Sequence, residues 1–134
     1  MAEETNLLIQ EYAKNPLCNY TMESPTTSSH EGNFICGDDI TVYLKIENSI
    51  IIEYSYFGNC STITSAAASF LSEFILGVPL ELVLTWTYET MKSKWFDVSP
   101  RRKRAAVIAI MASRNAIHKY LWDGKEDEFD DLLD

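Results

Sequence analysis

DITVYLKIENSIIIEYSYF, residues 39–57, decides the fold. Its first half alternates: Ile40, Val42, Leu44 and Ile46 point one way, and Thr41, Tyr43, Lys45 and Glu47 the other. That period of two makes a half-buried strand. Asn48-Ser49 supplies a tight turn, and residues 50–57 are β-branched and aromatic, as a second strand requires. The stretch reads as an antiparallel hairpin.

Downstream, Ile63, Ala66, Ala67, Phe70, Leu71, Phe74 and Ile75 follow helical spacing, which predicts a helix over 61–76 with a Ser61 or Thr62 cap and Gly77 at its end. Pro79 opens a predicted third helix lined by Leu80, Val83, Leu84, Tyr88, Met91 and Trp95. Residues 100–121 read as the last helix, with Val107, Ile110, Met111, Ile117 and Leu121 on a face that Arg114 interrupts. Upstream, residues 3–14 read as a short helix stopped by Asn15-Pro16. Residues 17–38, rich in Ser, Thr, Asn, Gly and Pro, read as a long loop with one short strand near 19–22. The sum is an α+β fold, a small antiparallel sheet with helices packed on one face.

The chain has 134 residues, 46% apolar and 23% charged, which suits one globular domain with a hydrophobic core. Its formal charge of −9 argues against non-specific nucleic-acid binding. Seven acids and one lysine fall in DGKEDEFDDLLD, so residues 123–134 read as an acidic, mobile tail on a domain of residues 1–122. The first residues carry acids where a secretory signal carries cations, and no apolar run is long enough to span a membrane. Three cysteines, an odd count, do not form a disulfide framework. A reducing, cytoplasmic setting is the expectation.

The chemistry gathers at Cys36-Gly37-Asp38 and Gly58-Asn59-Cys60, which flank the hairpin. A two-residue turn pairs residue i with residue 97−i, and Cys36 and Cys60 fall within one position of such a pair. Opposed residues in a ladder lie about 4.5–5.5 Å apart. Asp38, two residues from Cys36, points to the same side, and the glycines allow the backbone close to a bound ion. Each cysteine taken singly reads as a small core residue. Two thiols and a carboxylate converging suit iron or zinc. Cys60 also precedes a helix, whose positive end favours thiolate over thiol.

On Asn15-Pro16, Cys36-Gly37-Asp38 before a strand, and the hairpin ending IIEYSYFGNCSTITSAAAS, the sequence resembles the U-type iron–sulfur cluster scaffolds, the NifU N-terminal and IscU-like family, from Asn15 to about Leu121. The resemblance implies a non-enzymatic scaffold that accepts sulfur from a cysteine desulfurase, assembles a transient [2Fe–2S] cluster and passes it to acceptor proteins, with zinc able to occupy the same ligands. It implies Cys36, Asp38 and Cys60 as ligands and Cys60 as sulfur acceptor. The family's third cysteine, at the start of the last helix, corresponds to Ala105, and the residue before it to Arg104. Neither holds a metal: alanine has no donor, and arginine has no free lone pair. SPRRK stands where IscU-like proteins carry a chaperone-recognition motif. The departures leave a second reading, a divergent paralogue acting as binding or regulatory partner of the desulfurase machinery, and a third, a simple zinc-binding protein.

A closed tetrahedral site wants four ligands. His30, in the segment SSHEGN, and Cys18, after Asn15-Pro16, are the candidates for the fourth. By themselves they read as a solvated loop residue and an incidental thiol, and His118 as packing or surface. Arg101-Arg102-Lys103-Arg104 puts four cations at a predicted helix start, the unfavourable sign for its dipole. The cluster is expected to dock an acidic partner, or this chain's own tail.

Overall fold

The computed structural model describes residues 3–33 and 37–133. Three strands, β1 (Thr27–Asn33), β2 (Asp38–Glu47) and β3 (Ile50–Asn59), form an antiparallel sheet in that order. Helix α1 (Glu3–Lys14) precedes the sheet; α2 (Thr62–Ile75), α3 (Leu80–Val83), α4 (Tyr88–Ser93), α5 (Lys103–Leu121) and α6 (Asp130–Leu133) follow it. The α+β expectation holds.

The β2–β3 hairpin forms as its alternation dictates. Asn48 and Ser49 take left-handed φ values of 53° and 62°, the twisted two-residue turn that matches the twist of the strands. Near the turn Ile46 pairs with Ile51, but an irregularity between Lys45 and Ile46 shifts the ladder by one, so Lys45 faces Glu53 and Asp39 faces Asn59. The shift moves the open end of the hairpin, where the chemistry lies.

Ile40, Val42, Leu44 and Ile46 are buried under α5. Burying each such side chain contributes about 1.5–3 kcal/mol. Ala105, Ala106, Ala109, Ala112 and Ala116 give α5 a low surface that lets it lie close to its neighbours. Tyr54 and Tyr56 are buried with their hydroxyls donating to the α2 carbonyls of Ala68 (2.7 Å) and Ser65 (3.3 Å), so their polar ends are satisfied inside the core.

Three expectations are corrected. The loop over 17–38 contains β1 at Thr27–Asn33, whereas the strand expected near 19–22 is only an isolated bridge between Asn19 and Tyr56. TSSHEGN hides its strand because its inward positions are polar. They meet α5 by hydrogen bonds: Thr27 Oγ1 donates to Ala116 O at 2.8 Å, and Asn115 Nδ2 to Glu31 Oε2 at 2.8 Å. The single helix expected after Pro79 is two, because Thr87 starts a new one. Its side chain and that of Thr90 cap each other's backbone.

The acidic segment, expected as a mobile tail, is docked on the domain. Leu132 is fully buried, with Phe129 and Leu133 against the core. Arg114, the interruption on the α5 face, reaches Asp127 by two bonds of 2.9 and 3.0 Å and Trp86 O by a third of 2.7 Å. His118 is buried between Asp123 (2.7 Å) and Asp127 (2.9 Å). Composition showed the acids but not the largely buried Arg114 and His118 that hold them.

Candidate functional site

The site lies where β2 begins, β3 ends and α2 begins. Gly37 has φ +72°, a left-handed conformation that glycine adopts at no steric cost. At Gly58 the two strands touch: a Cβ there would stand 2.0 Å from Asp39 O. Gly58 thus serves the close backbone approach expected of it, whereas Gly37 serves the left-handed bend, with open space among the described residues where a Cβ would stand.

Asp38 is buried at 4% exposure and faces the amino end of α2. Its Oδ1 accepts from Ser61 N–H at 2.6 Å, and its Oδ2 from the Thr64 hydroxyl at 2.6 Å and the Ser61 hydroxyl at 3.4 Å. Ser61 Oγ in turn caps the helix through Thr64 N–H. A carboxylate offers about four lone-pair sites, so these three bonds fix the group yet leave it acceptor capacity. Ser61 was legible as a cap; Thr64 carried no sequence signal, since its role depends on a residue 26 positions away.

Cys60 is half-buried directly before this cap, with Sγ 3.9 Å from Asp39 O. Past the ladder shift, the register that pairs Asp39 with Asn59 brings Asp38 alongside Cys60. Burial first, then the charges of Asp38 and Asp39, push the Cys60 thiol up from 9.0 to about 11. The expectation of a stabilised thiolate is corrected: desolvation and two carboxylates outweigh the helix end. A cation held between Cys60 and Asp38 would reverse that balance.

Cys36 lies outside the described residues. His30 stands on β1, opposite Thr41, with its ring on Asp39. Both side chains are exposed, whereas Asp38 is buried, so alternation puts His30 on the solvent face of the sheet. Cys18 is half-buried beside β3, its carbonyl accepting from Tyr56 N–H at 3.0 Å. Among the described residues no three His, Cys, Asp or Glu side chains are grouped to hold a metal ion.

At the start of α5, Ala105 is buried and Arg104 lies over the Phe129 ring at 5.1 Å. Lys103 lies over the Tyr88 ring at 4.7 Å, while Arg101 and Arg102 are exposed. Half of the basic cluster is thus spent inside the molecule, and Arg104 contacts the tail as expected.

The family described as "NifU-like N terminal domain" matches residues 4–127. The chain is 30% identical over 84 residues to the iron–sulfur cluster assembly scaffold protein IscU of Thermotoga maritima, a match covering 63% of this chain and 59% of that protein, less than two thirds of its length. It is 26% identical over 125 residues to the IscU scaffold of Aquifex aeolicus, covering 90% of this chain and 78% of the other. The fold is shared with an N-terminal nitrogen-fixing NifU-like protein from Brucella abortus at TM-score 0.70 and 16% identity, covering 87% of this chain and 94% of that one. A candidate SUF-system scaffold from Fervidobacterium islandicum superposes at TM-score 0.73 and 20% identity, covering 82% and 93%.

Proposed function

The chain belongs to the NifU-like N terminal domain family, and from that premise we propose that it receives sulfur from a cysteine desulfurase, holds a transient [2Fe–2S] cluster or its iron, and yields it to acceptor proteins. Scaffolds of this kind are non-enzymatic and hold cargo. Cys36, Asp38 and Cys60 are the proposed ligands, with zinc able to take the same donors, and the cytoplasm is the proposed setting. No helix among the described residues is long and apolar enough to cross a membrane.

The observation that carries the reading is the placement of Asp38 and Cys60 on one helix terminus, with the close approach at Gly58 keeping the two strands tight. Asp38 is pre-positioned, and Cys60 stays protonated until a cation or a partner arrives. In the sulfur-transfer step Cys60 loses its proton to solvent and its thiolate attacks the terminal sulfur of the desulfurase persulfide. The new S–S bond forms on Cys60 as the old one breaks, and the desulfurase cysteine leaves as thiolate. The test is incubation with a desulfurase and free cysteine, followed by mass spectrometry of intact protein and peptides. One added sulfur on the Cys60 peptide is expected; none on any cysteine overturns the transfer role.

A second reading is favoured by the first turn of α5, where Ala105 is buried and Arg104 is engaged by the tail. There the chain binds or regulates the desulfurase machinery without assembling a cluster. A Cys36→Ser/Cys60→Ser variant that binds desulfurase normally, from a parent that takes up neither sulfur nor iron, identifies that case.

A further inference from the structure

Asn33 is 2% exposed, and among the described residues neither its Oδ1 nor its Nδ2 has a hydrogen-bond partner. A buried carboxamide left unpaired at both ends loses the hydrogen bonds water gave it, and in native proteins such groups call for a specific explanation. Its place suggests one. Asn33 is the Cα partner of Asp38 across β1 and β2, and both are buried on the inner face. Opposed side chains on one face lie about 4.5–5.5 Å apart at Cβ. The carboxylate of Asp38 is turned to Ser61 and Thr64, which leaves the amide beside it without a partner among the described residues.

The same strand end lies against the first turn of α5. Gly32 and Arg104, the chain neighbours of Asn33 and Ala105, line one cavity of about 360 Å³. A neutral oxygen donor thus stands across the ladder from Asp38, buried on the same face of the sheet. We propose that Asn33 Oδ1 is a further ligand for the divalent cation held at Asp38 and Cys60, making up for the donor that Ala105 lacks. The inference rests on the scaffold reading for the ion's presence. A carbonyl oxygen added to carboxylate and thiolate makes a mixed oxygen–sulfur site suited to a borderline ion such as ferrous iron, cobalt or zinc.

The test is anaerobic titration with Co²⁺, whose thiolate charge-transfer bands report sulfur ligation and whose d–d bands report coordination number. The wild-type chain should bind with both sets of bands, and Cys60→Ser should lose charge-transfer intensity. Asn33→Ala and Asn33→Leu, the second keeping the side-chain volume, should bind at least ten-fold more weakly, with altered d–d bands and the charge transfer retained. Asn33→Asp, which restores an oxygen at that position, should recover affinity. Unchanged affinity and d–d bands in folded Ala and Leu variants overturn the role of Asn33 and leave the scaffold site standing. Absence of charge transfer in the wild-type chain overturns both.

Discussion

Cys60, the proposed sulfur acceptor, sits where burial and two carboxylates keep its thiol protonated. Its pKa of about 11 sets a pH signature with a definite sign. The folded value is raised, so the unfolded chain ionises first. The stability this group contributes is complete below about pH 9 and is lost as pH rises through about 11. Alkylation of the metal-free protein by iodoacetamide should therefore accelerate steeply only toward pH 11, and Asp39→Asn should move that inflection down. An inflection below pH 8 in the parent protein would contradict the assigned environment. Gly58 makes a second prediction. A Cβ 2.0 Å from Asp39 O forces the strands apart, so Gly58→Ala should lose about 1–3 kcal/mol in urea unfolding and weaken metal binding with it.

At the level of elements, the docked tail gives the clearest stability forecast. Leu132 is fully buried, so Leu132→Ala should cost about 2–5 kcal/mol. Arg114→Ala, which removes one of the two largely buried side chains that hold Asp127, should cost about 3–5 kcal/mol. A tail with no structural role would leave both melting temperatures near the parent value. The same elements separate what was legible in the sequence from what was not. The β2–β3 hairpin and α2 announced themselves because each writes its burial as an apolar period. β1 did not, because Ser29, Glu31 and Asn33 face inward and β1 meets α5 through hydrogen bonds. α6 did not, because two leucines among acids make no period, and Arg114 and His118, which hold Asp127, lie on another helix. In the site, Asp38 and Cys60 came from motif spacing, whereas the one-residue ladder shift, Thr64 and Asn33 depend on contacts between distant segments.

On the scale of the whole molecule, the chain has an inner and an outer division of charge. The tail acids and the cations Arg104 and Arg114 are engaged with each other and with aromatic rings, while Arg101 and Arg102 stay exposed. Of the 101–104 cluster, these two are the cations exposed to meet a partner with an acidic surface. Arg101→Glu/Arg102→Glu should weaken desulfurase capture at least several-fold without moving the melting temperature; unchanged capture would place the partner elsewhere. The central claim, that Asp38 and Cys60 belong to a site that holds iron–sulfur cargo, is met most directly by anaerobic reconstitution with ferrous iron and sulfide, read by visible absorption and acid-labile sulfide. The expected result is a cluster chromophore with matching iron and sulfide in the parent chain, lost in Cys60→Ser. A parent chain that stays colourless and sulfide-free under those conditions would contradict it.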